Sequence, residues 1–307
     1  QTRMMGAALL AQAKINLFLR VLGKEESGYH SLETLFQRLE LGDDVRVWVD
    51  VRGRSLDCRG ADVGPVERNL AWRAALAYTE ATGWPTTFAI EIEKRIPAGG
   101  GLGGGSADAG AVLRLLNYLS PDPISDQAML ELAIGLGADV PFLTSRSPLS
   151  LGWGRGERLL ALPALPSTQV ALLLPRSGVA TADAFRWLAA DRAAAAGTPQ
   201  STPAPRQLHL AELRGWDGVA RLAGNDLEEA VAARTPAVAS LRSLRGEMEI
   251  GEGGIYQMTG SGSTWYALGA PSAPLERGGQ GRVGLPAGVR LVRTATAASV
   301  VEPARLE

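Results

Sequence analysis

The amino-acid sequence predicts an α+β fold in two domains. Three observations carry that reading. Segments alternating with period two stand among segments with helical spacing. The strands read as antiparallel and the helices sit beside them, a mixture that suggests α+β. The chain has 307 residues, enough for two domains of ordinary size. A stretch rich in turn formers near 155–165, "GWGRGERLLALPALP", marks the boundary, giving an N-terminal domain over 1–158 and a C-terminal domain over 159–307.

The elements follow in order. The first few residues read as a loose start. Residues 13–22 alternate, with Ala13, Ile15, Leu17 and Leu19 on one face and Lys14, Asn16, Phe18 and Arg20 on the other, a strand pattern. A loop, "GKEESGYH", follows, and Val45, Val47, Val49 and Val51 mark a second strand. Residues 69–81 have helical spacing, with Asn69 as N-cap and Gly83 as terminator. Phe88, Ile90 and Ile92 make a strand. A glycine run then leads into a helix beginning near Ser106, whose apolar face is Val112, Leu115, Leu116 and Leu119. Another helix falls in "SPDPISDQAMLELAIGLG".

In the second half, 170–174 reads as a strand and 182–190 as a helix. The Pro/Ala-rich segment 191–207 reads as an exposed loop. Two helices follow around 225–245, the second with Thr235 before Pro236. "IYQMTGSGSTWYAL" reads as strand, glycine turn, strand. Residues 269–288 are loop, and 289–297 form a last strand.

Composition narrows the function classes. Hydrophobic residues make up 46%, too many for a disordered chain. Basic and acidic side chains number 31 and 32, so a nucleic-acid partner held by a broad basic face is not expected. The single Cys58 excludes an internal disulfide or an all-cysteine zinc site and suits a reducing compartment. The apolar patch at the N-terminus is too short and too interrupted for a membrane span. With no export signal, the expected location is the cytoplasm. Nothing points to an obligate protein partner. Only Lys14, Lys24 and Lys94 are lysines, which makes a lysine on a strand's polar face conspicuous.

Glycine placement is the central clue. Six of the seven positions 99–105 are glycine, between a strand and a helix start. Glycine tolerates positive φ, so successive backbone N–H groups can converge. A helix N-terminus adds free N–H groups and partial positive charge. Together they predict a phosphate site. No Lys follows the glycines, so the P-loop pattern fails. The next element is a helix, so a dinucleotide-binding βαβ unit does not fit.

The stretch 97–109, "PAGGGLGGGSADA", resembles the ATP-binding motif of the GHMP kinases, a family of small-molecule kinases. "AKINLFL", "GYHSLETLFQ", "LGADVPF" and "MTGSGSTWYAL" extend the resemblance, in order, from about residue 11 to 268. It implies the two-domain GHMP kinase fold: an N-terminal ATP domain like domain 2 of ribosomal protein S5 and a C-terminal α+β sandwich. It implies ATP and Mg²⁺ as cofactors and a cytidine diphosphate ester as the small-molecule acceptor. The chain departs from the family pattern at Ala107, where a second Ser is usual, and at Gln12, where Pro is usual.

The resemblance also assigns residues. Pro97, Gly99, Gly100, Gly101, Leu102, Gly103, Gly104, Gly105 and Ser106 would bind ATP, with Ser106 a possible contact to Mg²⁺; the metal ligands are otherwise open. Lys14 and Asp139 would form the catalytic pair. On sequence alone Asp139 equally fits an N-cap before Pro141. Asn16 shares the strand face of Lys14 and could reach the same substrate. Tyr29, His30 and Phe185 would hold the cytosine by aromatic surface and edge hydrogen bonds, although Phe185 also fits a helix core position. Gly260, Ser261 and Gly262 would close on the acceptor, or simply turn a hairpin. Asp108 reads as a dipole complement in the first helical turn, and Asn225-Asp226 as an ordinary helix cap. A rival reading is another GHMP kinase, acting on mevalonate, homoserine or a sugar. A rival of a different class is an RNA-binding protein of related N-terminal fold, which the near-neutral charge and glycine loop count against.

Overall fold

The computed structural model describes residues 4–24, 30–61, 64–195, 207–246, 250–269 and 284–306. Most of the 191–207 segment, much of 269–288, and Tyr29 therefore lie outside the described residues.

Two long strands form the spine. Strand β1 spans Met5–Lys24 and β2 spans His30–Val49, paired antiparallel along nearly their whole length. Both exceed the stretches the alternation marked. Thr34, Leu35, Phe36, Gln37, Arg38 and Leu39 are all buried, so this part of β2 is covered on both faces and shows no period-two signature. Within β1 the expected alternation also breaks. The register shifts between Asn16 and Phe18, and such a bulge re-aims the side chains beyond it. Leu17 and Phe18 both enter the first core, whereas Leu19 enters the second.

Strands β3 (Arg54–Arg59), β4 (Phe88–Glu93), β5 (Leu149–Gly154) and β6 (Arg158–Ala161) extend this first sheet. Its main path runs β12-β1-β2-β4-β3, with β5 on β2 and β6 on β5. Two short strands arrive from the C-terminal half, β8 (Gly224–Asn225) and β12 (Ala304–Leu306), and both pair with β1. Residue 158 is thus the first residue of a strand that belongs to the first sheet. Gln12, the departure from the family pattern, ties the returning chain down. Its amide donates to the Ser299 carbonyl and accepts from the Val301 N–H.

Helices α1 (Leu70–Thr82) and α2 (Gly104–Leu119) pack on each other and cover the sheet. Asn69 caps α1 through the Ala71 N–H at 2.9 Å and Gly83 ends it at φ 73°, as the sequence predicts. Helices α3 (Asp126–Ile134) and α4 (Val140–Thr144) follow.

The second sheet, in order β11-β7-β10-β9, contains β7 (Gln169–Leu174), β9 (Ile255–Met258), β10 (Trp265–Leu268) and β11 (Arg290–Ala295). Side chains alternate between two cores, as a pleated strand requires. Val170, Leu172, Leu174, Tyr266 and Leu268 join the first core; Ala171, Leu173, Trp265 and Ala267 join the second. Helices α5 (Thr181–Ala194), α7 (Leu227–Ala232) and α8 (Pro236–Ser243) contribute to the second core. Helix α5 runs four residues past the expected 190. Helix α6 (Trp216–Leu222) had no expectation.

Candidate active site

The glycine loop is pinned to β1. The Lys14 N–H donates to the Leu102 carbonyl at 3.0 Å, so the loop lies alongside the strand that carries Lys14 and Asn16. Gly101 has φ 76°, and a Cβ there would come within 2.5 Å of the Thr259 carbonyl oxygen. The loop is therefore pressed against the second glycine turn, and only glycine fits. Across that contact Gly260 has φ 57°, and a Cβ on it would be 3.5 Å from Lys14 Nζ. Two glycine clusters far apart in sequence meet at one lysine.

That lysine is buried. Lys14 Nζ lies 3.3 Å from Asp139 Oδ2, with the Lys14 side chain 3% and that of Asp139 32% exposed. Lys14 Nζ donates to Asn16 Oδ1 at 2.8 Å, and Asn16 Nδ2 donates to Thr34 Oγ1 at 2.8 Å. The Thr34 hydroxyl in turn donates to the Phe18 carbonyl at 2.7 Å. Thr259 Oγ1 accepts from the Asn16 N–H at 3.0 Å. Gln257 and Tyr266 both donate to the Asn16 carbonyl. Asn16 Oδ1 thus holds Lys14, while the backbone of Asn16 is held by Thr259, Gln257 and Tyr266.

Asp139 occupies the N-cap position of α4 but makes no side-chain capping bond. The capping alternative is not realised; the carboxylate faces Lys14 instead. Helix α4 is fixed from its other end by a residue the sequence reasoning missed. Arg38 is 2% exposed and donates to the carbonyls of Phe142 and Ser145 at 2.8 Å and of Ser147 at 3.1 Å. Phe36 stacks on Phe142 at 4.8 Å between ring centroids. Arg38 on a strand carried no local signal, because its partners lie over 100 residues away.

The glycine-loop helix begins at Gly104 with Gly103 as N-cap, so Ser106 is inside the first turn and does not cap it. Asp108 lies past the first turn of the helix, so it is not the first-turn dipole complement expected of it. It is buried, with Asp108 Oδ2 2.6 Å from Lys94 Nζ. Lys94 also pairs with buried Asp43. Burial pushes the Asp108 carboxyl up to about 7, against the pull of the Lys94 ammonium. Asp43 anchors the loop entry by accepting from the Ile96 N–H at 2.7 Å. The signal was available only as spacing: a charged residue following β4, another in β2 and a third in α2 share no local pattern.

A cavity of about 280 Å³ is lined by Asn69, Lys94, the loop from Pro97 to Gly105, and Asp108. Its wall includes Gly103, Gly104 and Gly105 at the start of α2, and a helix start is the setting for a phosphate. A larger cavity of about 650 Å³ shares Pro97, Ala98, Gly99 and Gly100 of the same loop and adds Arg176, Ser263 and Thr264; one of about 620 Å³ lies elsewhere. Neither Lys14 nor Asp139 lines any of these three cavities. Among the described residues no group of three His, Cys, Asp or Glu could hold a metal. A magnesium ion carried by phosphates keeps several waters and asks for few protein ligands; the half-buried Ser106 beside the cavity fits that need.

The acceptor side is partly visible. His30 begins β2, its backbone opposite Lys24. Tyr29 is outside the described residues. Phe185 is half-buried on α5 and packs partly against the second core. Thr181, at the start of α5, hydrogen-bonds Ser261 at 2.9 Å, which joins that helix to the second glycine turn. Lys14, Asp139, Asn16, the glycine loop and Gly260 are thus gathered. Among the described residues no helix is long and apolar enough to cross a membrane.

With this geometry in place, comparison with known proteins is informative. The model of the GHMP kinases N terminal domain matches residues 69–146. The 4-diphosphocytidyl-2-C-methyl-D-erythritol kinase of a Geobacter species is 39% identical over 263 residues, covering 85% of this chain and 88% of the relative. A crystal structure of 4-(cytidine 5'-diphospho)-2C-methyl-D-erythritol kinase superposes with a TM-score of 0.68 at 32% identity, covering 94% of this chain and 98% of that one. Homoserine kinase from Cytophaga hutchinsonii, at 15% identity and TM-score 0.64, shares the fold.

Proposed function

The chain belongs to the 4-diphosphocytidyl-2-C-methyl-D-erythritol kinase family of the GHMP kinases, and on that premise we propose that it transfers the γ-phosphoryl group of ATP to the 2-hydroxyl of 4-diphosphocytidyl-2-C-methyl-D-erythritol, a step in non-mevalonate isoprenoid synthesis. The observation that carries the chemistry is the 3.3 Å Lys14–Asp139 pair beside a glycine loop bound to the same strand.

The residues divide the work as phosphoryl transfer requires, mostly by positioning and charge neutralisation. The loop from Pro97 to Ser106 and the start of α2 hold the ATP phosphates through backbone N–H groups. Asp139 accepts the proton of the acceptor hydroxyl. Lys14 has three donors; Asn16 and Asp139 engage two, leaving one for the attacking oxygen or the γ-phosphoryl group. The oxygen attacks phosphorus, the bond to the β-phosphate oxygen breaks, and ADP leaves. Ser106 would be a protein contact for a magnesium ion carried by the nucleotide, and that ion would supply charge neutralisation on the phosphates. His30, Tyr29 and Phe185 hold the cytosine, and Gly260, Ser261 and Gly262 close on the acceptor. The reading keeps two domains, with the boundary expected at 158 moved past β6 (Arg158–Ala161), which belongs to the first sheet, and places the reaction in the cytoplasm.

The test is ADP release with a panel of acceptors. Turnover on the cytidine diphosphate ester, with none on mevalonate or homoserine, is expected. Turnover on mevalonate and not on the cytidine compound would sink the assignment.

A further inference from the structure

The pair Asn225-Asp226 reads in sequence as an ordinary helix cap, and Asn225 does accept from the Leu227 N–H at 3.0 Å. The rest of both side chains goes elsewhere. Asn225 Nδ2 donates to the carbonyls of Met258 and Gly260, each at 2.9 Å. Its amide therefore uses two donors and one acceptor at once. Asn225 itself is fixed, because β8 pairs with β1 at Leu19 and the Asp226 N–H donates to the Leu19 carbonyl at 2.9 Å.

Gly260, the residue so held, is the one against Lys14 and Gly101. A Cβ on Gly260 would stand 3.5 Å from Lys14 Nζ and 3.1 Å from the Gly101 carbonyl oxygen. A shift of the turn by an ångström would change the gap between the lysine and the phosphate loop. Asp226 braces a different part. Asp226 Oδ2 accepts from the Val21 N–H and from Arg192, both at 2.9 Å. Arg192, near the end of α5, also donates to the Val21 carbonyl at 2.6 Å. Both polar groups of Val21 are thus satisfied where the β1–β2 register shifts between Val21 and Gly23. This point lies near the end of β1, a few residues before Tyr29 and His30 in sequence, and Arg192 is on the helix that carries Phe185.

We propose that Asn225 and Asp226 are positioning residues with separate tasks: Asn225 sets the Gly260 turn against Lys14 and the phosphate loop, and Asp226 with Arg192 sets the strand exit and helix that bound the acceptor. The proposal rests on the kinase reading above. It follows that the two residues affect different kinetic constants. Loss of alignment at reacting atoms lowers kcat, because misplacement of about 1 Å can cost about a hundredfold. Loss of acceptor walls raises the acceptor KM with kcat spared, the signature of binding shared by ground and transition states.

The experiment is steady-state kinetics on the full chain for Asn225→Asp and Asp226→Asn, with ADP affinity measured by calorimetry and folding checked by thermal melts. Asn225→Asp keeps the Leu227 contact but places one carboxylate oxygen, where Nδ2 stood, against two carbonyls. The expected result is a kcat lowered about tenfold to a hundredfold with ADP affinity within about twofold. Asp226→Asn should raise the acceptor KM about tenfold, at the scale of a charge-assisted bond lost, with kcat within about twofold. Should Asn225→Asp fail to fold, Asn225→Ser, which retains one donor, takes its place and should give a smaller fall in kcat alone. Identical effects of the two variants on both constants, wild-type kinetics in either folded variant, or losses that track the unfolded fraction would overturn the proposal. A wild-type enzyme that ignores the cytidine ester but turns over another acceptor would defeat the substrate assignment alone, since the kcat and KM ratios can be read on that acceptor.

Discussion

Lys14 and Asp139 meet across 125 residues of chain, Nζ to Oδ2 at 3.3 Å, with the lysine buried and the carboxylate about one-third exposed. The asymmetry matters. Lys14 is held by Asn16, and Asn16 is held by β9 and β10 through Gln257 and Tyr266. The cation is a fixed point; the carboxylate is the member open to an incoming hydroxyl. Asp139→Asn keeps the shape but cannot take a proton. We expect kcat to fall by about 10²–10⁴ while ADP affinity stays within a few-fold. Single-turnover kinetics and calorimetry check both halves, and normal turnover would refute the base assignment.

His30 is assigned to the cytosine by resemblance, and the backbone places it at the start of β2. His30→Ala should therefore raise the acceptor KM much more than the ATP KM. A hydrogen bond to a base edge is worth about 1 kcal/mol or more, so a rise of about tenfold is the expected scale. Equal effects on the two constants would contradict the cytosine role.

The legible parts of this molecule were those with local chemistry. The helix over 69–81 announced itself by Asn69 and Gly83, and both caps form. The glycine loop was legible because glycine there is demanded by a contact at Gly101. Strand β3, with its exposed polar face, and β6, after the turn "GRG", carry too little apolar alternation to stand out. The supports of the site were least legible. Arg38, Lys94, Asp43 and Asn225 act on partners brought close only by tertiary folding, and each local context fits a surface residue or a cap.

Arg38 illustrates the cost of such a support. Its guanidinium donates to three carbonyls at the end of α4, and hydrogen bonds to a charged group are worth about 1.5–3 kcal/mol each. Lysine cannot reproduce the planar fork. Arg38→Lys should lower the melting midpoint by several degrees, at about 2–4 °C per kcal/mol for a chain of this size, and reduce kcat by disturbing the helix behind Asp139. An unchanged melt would show that the carbonyls find other partners.

Asp108 gives the fold a pH dependence with a definite sign. Burial raises its carboxyl from 3.8 to about 7, so between those values the folded state holds a proton that the unfolded chain has released. The associated stability is complete below about pH 4 and is lost as pH rises toward about 7. Asp108→Asn removes this titration. The midpoint of the variant minus that of the wild type should therefore climb as pH goes from 5 to 8, measured by thermal melts in buffers of equal ionic strength. A difference that stays flat, or falls, would contradict the raised carboxyl.

Gly101 tests the meeting of the two glycine clusters. Its φ of 76° costs a side-chain-bearing residue about 1–2 kcal/mol. In addition, a methyl group there would come within 2.5 Å of the Thr259 carbonyl oxygen, a backbone atom that cannot rotate away. Gly101→Ala must push the glycine loop off the second turn. Because Leu102, the next residue, accepts from the Lys14 N–H, the push is passed to the strand that carries Lys14 as well. The expected outcome is weaker ADP binding, about tenfold or more for strain of this size, together with a lower kcat. Gly135→Ala is the matched control: it lies outside the site at φ -68°, its nearest neighbour is the Leu132 carbonyl oxygen at 3.6 Å, and it should bind ADP as the wild type does. If the two variants bind alike, the contact between Gly101 and Thr259 does not set the shape of the loop.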